Sequence, residues 1–238
     1  MRPLMLAEPE RPFWGFAEIF LAAAVFLAAL ATVITTAIHY FHAPPESGLW
    51  SVLEEAASYA LLFLALKILF ARYGQGVLGA LGWRKAGPFS TLSLAVLGVG
   101  LSLVVILLQY ALQTPDVATP FDKLLDDPAS RVAVALFGIT LAPMVEELLF
   151  RGFLQTVLVS AIGVFPGILL TSASFGFLHL AQNGWIWQSG ILITLVGFVL
   201  GTVRHLSGST RASTIVHIAY NSLPFMSLLV GGNPLAGK

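Results

Sequence analysis

Residues 142–153 read APMVEELLFRGF. Between Val132 and Val203 the only Asp, Glu, Lys or Arg residues are Glu146, Glu147 and Arg151, and the only histidine is His179. Two adjacent glutamates and an arginine therefore interrupt a region apolar enough to lie in lipid. The whole chain shares that character. Of its 238 residues 57% are hydrophobic and 10% charged, with a mean hydropathy of +0.87. Soluble domains carry about 25% charged residues. The composition specifies an integral membrane protein. The formal net charge is zero, so no basic field points to nucleic acid. The chain has no cysteine, which excludes disulfides and thiolate chemistry.

A spanning helix needs about 20 mainly apolar residues. Segments 13–39, 50–71, 90–113, 131–158, 164–182, 186–206 and 211–231 meet that need. The expected fold is all-α: a polytopic transmembrane bundle of about seven helices (six to eight) around a polar intramembrane cavity. The first segment is too long for a secretory signal, and Glu8 and Glu10 stand where a basic region would be. Trp14, Trp50, Trp83, Trp185 and Trp187 all fall near segment ends, as interfacial anchors do. With the N-terminus inside, cytoplasmic loops hold Arg2, Arg11, Arg72, Arg84, Lys85, Arg204 and Arg211, and Lys67 can snorkel to that interface. The other side holds little beyond Lys123, Arg131 and Lys238. The positive-inside rule then predicts a cytoplasmic N-terminus, and the expected location is a prokaryotic plasma membrane that the chain crosses several times. The stretch 75–88 suits a short interfacial helix anchored by Trp83. The stretch 114–131 is the longest polar loop and is acidic. Gly197 and Gly201 form a G-x-x-x-G pair, which permits close helix approach.

Ionisable residues inside a membrane are costly and are functional candidates by default. Glu147 and Arg151 stand i,i+4 on one helix face, in the favourable order, and read as a structural ion pair. Glu146 lies about 100° around the helix, so one carboxylate is left over for general acid–base work. Phe175 and His179 share a face at i,i+4, as do His217 and Asn221. Taken singly, each polar group reads as a helix–helix contact. Taken together, three helices present Glu146, His179, and His217 with Asn221. Glu with His can orient and deprotonate water, and His with Asn can donate to an oxyanion. Glu18, Glu54 and Glu55 lie near segment ends and read as solvated or packing residues. So do His39 and His42, beside Pro44 and Pro45, and His205. Ser172 and Ser174 read as bonding within their own helix.

In order along the chain, Glu146-Glu147-x-x-x-Arg151, Phe175-x-x-x-His179 and His217-x-x-x-Asn221 resemble the CPBP family of CAAX proteases and bacteriocin-processing enzymes. The resemblance covers about the last 100 residues. It implies an intramembrane endopeptidase in which Glu146 is the general base and His179 helps hold the attacking water. It implies that His217 and Asn221 stabilise the oxyanion, that Glu147 and Arg151 are structural, and that Phe175 packs near the histidine. The organisation that follows is a tail at 1–12, N-terminal helices and loops at 13–130, a catalytic core at 131–231 and a tail at 232–238, in one membrane domain.

No cofactor is expected. Zinc on Glu146, His179 and His217 is the alternative, although His-Glu-x-x-His is absent. The expected partners are membrane lipids and a hydrophobic, membrane-anchored or lipidated protein or peptide, with C-terminal CAAX-type processing as one form of the reaction. The rival reading is a non-proteolytic scaffold or bacteriocin-immunity-type protein of the same fold. One geometric demand is severe. His179 and His217 start from opposite faces of a core about 30 Å thick. Broken or half-length helices must bring them together, with Pro143, the GVFPG turn at 163–167 and Asn183-Gly184 as break points.

Overall fold

The computed structural model describes residues 12–43 and 47–231. Arg2, Glu8, Glu10, Arg11, Pro44, Pro45, Lys238 and the C-terminal tail 232–238 lie outside the described residues, as does all but the last residue of the tail 1–12. The described residues form helices and turns, with no strand. Long helices are α1 (Phe16–Phe41), α2 (Gly48–Ala71), α4 (Thr91–Ala111), α10 (Trp187–Ser207) and α11 (Thr210–Gly231). Single turns, α3 (Val77–Ala80) and α5 (Pro120–Lys123), sit in the connections. Between them in space runs a broken rod: α6 (Pro128–Ile139), α7 (Leu141–Glu147), a π-helical turn (Leu148–Leu154) and α8 (Gln155–Ile162). It is followed by the short α9 (Val164–Leu178). Among the described residues five spans are long and apolar enough to cross a membrane, the rod counting as one. Each of the seven expected segments is helical over most of its length.

The boundaries have local causes. The rod starts at 128 because Asp127 accepts the Ser130 amide at 2.9 Å and Pro128 occupies the first turn. A proline there loses nothing, since its missing N–H would be unpaired anyway. The expected interfacial helix at 75–88 shrinks to α3. Gly82 (φ 77°) and Gly87 (φ 60°) turn the chain, and Leu81 is fully buried. Trp14 also departs from expectation. It is not an interfacial anchor: it stacks on Phe70 and Phe153 and donates Nε1 to the Phe153 carbonyl at 3.1 Å. Trp185 and Trp187 do stay exposed.

Close approaches are made through glycine. A Cβ on Gly197 would press on Ser172 of α9, and one on Gly201 on Gln155 of α8 and Ile168 of α9. Gly98 is where α4 meets α11: a Cβ there would strike the Val216 carbonyl and Ala219. Gly100, two residues on, faces open space. Replacement Gly98→Leu is expected to destabilise the protein by about 1–3 kcal/mol through overpacking. Gly100→Leu is expected to be near neutral, and thermal unfolding in detergent compares the two.

Candidate active site

The site is built by breaking helices. Pro143 has no N–H to reach the Ile139 carbonyl, so the rod yields there. Thr140, at φ −116° and ψ −78°, leaves helical geometry between α6 and α7. The π-helical turn then widens the rod just beyond the glutamates. Gly163 (φ 90°) reverses the chain into α9. That helix has 15 residues, about 22 Å at 1.5 Å per residue. It stops short of a full crossing, at His179. Asn183 and Gly184 (φ 63°) turn the chain back towards α10. Each anticipated break point is thus used, and the half-length α9 answers the depth problem.

Glu147 and Arg151 are completely buried and paired at 2.8 Å. Arg151 also donates to the Gly197 carbonyl of α10 at 3.1 Å and lies 4.4 Å over the Phe175 ring. The Glu147 carboxylate oxygen that takes Arg151 accepts His217 Nδ1 as well, at 3.0 Å. The ion pair therefore does more than fasten one helix turn: it ties the rod to α10 and α11. On α9, His179 Nδ1 donates to the Phe175 carbonyl at 2.7 Å. A carbonyl and an arginine-paired carboxylate only accept, so both rings carry a hydrogen on Nδ1. Both therefore turn Nε2 into the cavity.

Glu146 receives both. His179 Nε2 is 3.9 Å from one of its oxygens and His217 Nε2 is 3.8 Å from the other. These separations exceed a direct hydrogen bond and suit a bridging oxygen. Phe175 packs against both rings, at centroid distances of 4.3 and 5.9 Å. Asn221 is one turn along α11 from His217. Its amide donates to the Gly138 carbonyl at 2.7 Å, in the last turn of α6 before the break. All four of Glu146, His179, His217 and Asn221 line one cavity of about 320 Å³.

The cavity also holds a residue that the sequence did not single out for chemistry. Glu55, expected to be solvated near a helix end, lines the same space and accepts the Tyr59 hydroxyl within α2. The i,i+4 spacing of Glu55 and Tyr59 was the available signal. Glu18 behaves as a packing and capping residue, accepting the Gly15 amide at 2.7 Å. Ser172 and Ser174 bond back to carbonyls of their own helix. Among the described residues no group of three His, Asp or Glu side chains is placed to hold a metal ion.

Residues 128–223 match the family model for type II CAAX prenyl endopeptidase Rce1-like proteins. The match spans the rod, α9, α10 and most of α11, and takes in every candidate residue of the three motifs. It bears out the resemblance to CAAX-type membrane proteases over that stretch. No curated protein and no solved structure matches the chain.

Proposed function

We propose that this Rce1-like region hydrolyses a peptide bond inside the membrane with a water activated by Glu146. The observation that carries the reading is the pair of Nε2 atoms, 3.9 and 3.8 Å from the two oxygens of a carboxylate that has no arginine partner among the described residues. A water bound between Glu146 and His179 donates to both, and Glu146 takes its proton as the oxygen attacks the carbonyl carbon. The carbonyl oxygen becomes an oxyanion, received by His217 Nε2–H and the Asn221 amide. That role needs His217 as imidazolium. Glu147 accepts the Nδ1–H of that ring at 3.0 Å, and Arg151 holds the same carboxylate oxygen at 2.8 Å. The C–N bond then breaks, the amine leaves with the proton held by Glu146, and the carboxylate returns to its starting state. No step requires a metal. Glu147, Arg151 and Phe175 position these groups without touching the reacting atoms.

The substrate class that the family match suggests is a membrane-associated peptide, with prenylated CAAX ends as its type. The test uses purified protein in liposomes with peptides ending in a CAAX sequence, prenylated or not, and hydrophobic peptides without one. Cleavage by wild type that is lost in His179→Ala supports the hydrolase. Failure to cleave any of them by a folded protein supports a scaffold or immunity-type role. Activity that survives exhaustive chelation supports the metal-free reading, and zinc-restored activity overturns it. Asn221→Ala is expected to lower kcat on the order of 10²-fold, as loss of one oxyanion donor does. The readout is single-turnover cleavage.

A further inference from the structure

The two ends of the bundle differ. At one end Trp14 stacks on Phe70, the Thr210 amide donates to the Gly82 carbonyl at 2.9 Å, and the Ser209 hydroxyl donates to the Arg84 carbonyl. These contacts gather the start of α1, the end of α2, the 72–90 connection, and the junction of α10 with α11. Arg72, Arg84, Lys85, Arg204 and Arg211 all belong to this end. At the other end Leu49 donates to Ser130 at 3.0 Å, Phe121 donates to the Gln182 carbonyl at 3.2 Å, and Phe121 meets Phe225 edge-on. There the described Lys and Arg residues are Lys123 and Arg131.

The lining of the cavity reaches only one of these ends. Its lining runs from Glu146 and His217 past Glu55 to Ser51, Phe121 and Asn183. All three last residues belong to the end poor in arginine. Towards the arginine-rich end the site has a closed floor. Glu147, Leu148, Arg151, Leu200, Ala212 and Ser213 are all at most 1% exposed. Leu81, also inaccessible, is packed against Gly152 beneath them. Cationic connections stay on the cytoplasmic side of a membrane protein.

We propose that the cavity takes its substrate from the extracytoplasmic face, so that the natural substrate is a polypeptide segment that has crossed the membrane or is emerging from it. This rests on the hydrolase reading for the word substrate, but the direction of opening does not. A cytoplasmic C-terminus, prenylated or otherwise, would have to pass the closed floor. A segment presented on the far side meets the mouth at Ser51 and Phe121 and reaches Glu146 without displacing a helix.

The chain lacks cysteine, so single-cysteine labelling reads its sidedness directly. Ala118→Cys is at the mouth end and Lys85→Cys at the arginine-rich end, both at exposed positions. In spheroplasts of a bacterial host, a membrane-impermeant maleimide is expected to label Ala118→Cys before lysis and Lys85→Cys only after it. Labelling of Lys85→Cys in intact spheroplasts, or protection of Ala118→Cys, overturns the inference. A hydrophobic peptide cleaved in detergent, where sidedness is lost, tests the hydrolase reading separately. Cleavage in detergent with reversed labelling leaves the enzyme standing and removes the direction of entry. Expected labelling with no cleavage does the opposite.

Discussion

Glu146→Gln is expected to reduce peptide cleavage by reconstituted protein on the order of 10³-fold, with little change in folding. The amide keeps the shape of the carboxylate and can still hydrogen-bond a water. It cannot take the water's proton. Glu146 contributes little to the scaffold: its side chain is 19% exposed to the cavity, and its histidine neighbours stand beyond direct hydrogen-bond distance. Thermal unfolding in the same detergent should therefore match wild type within about 0.5–1 kcal/mol. This separation of activity from stability is the signature sought. A Glu146→Gln protein that cleaves at near wild-type rate would remove Glu146 as general base. One that unfolds would show that the carboxylate belongs to the packing instead.

Much of this site could be read before the structure, and for a physical reason. Lipid has no means to solvate a charge, so Glu146, Glu147 and Arg151 stand out in the run from Val132 to Val203, which holds no other Asp, Glu, Lys or Arg. The i,i+4 rule pairs Glu147 with Arg151 and leaves Glu146 over, which is the division seen in space. Helix breaks were legible for similar reasons. Pro143 removes a specific donor, and Gly163 and Gly184 take positive φ. Other features were not legible. Glu55 sits about two turns into α2, near the end where a glutamate ordinarily reaches the interface. Its spacing to Tyr59 hinted at a partner within the helix, but only the packing of α2 against the rod makes it a wall of the site. Trp14 followed the rule for interfacial aromatics by position, yet Phe70 and Phe153 cover it, and those contacts are more than fifty residues away. His217 bonding to Glu147 was also out of reach, because it depends on how α11 is rotated against the rod.

That last bond yields the second large effect. Replacing Glu147 alone leaves the buried Arg151 charge unpaired, replacing Arg151 alone leaves Glu147 with only His217, and each should cost about 3–5 kcal/mol. Glu147→Leu alone or Arg151→Met alone should therefore give poorly folded, inactive protein. The double replacement Glu147→Leu with Arg151→Met removes both charges together. Apolar side chains of similar volume often replace a buried pair at no net cost, so much of the lost stability should return. Activity should not return with it. His217 Nδ1 would lose the acceptor now 3.0 Å away, and with it the partner that supports an imidazolium facing the oxyanion. Thermal unfolding and single-turnover cleavage of the two single variants and the double variant separate the two roles. If the double variant regains activity along with stability, the pair is only a fastener and His217 needs no help from Glu147. If stability returns and cleavage stays at least 10²-fold down, the ion pair is part of how the site holds its proton, and its burial at the junction of three helices serves the chemistry as well as the fold.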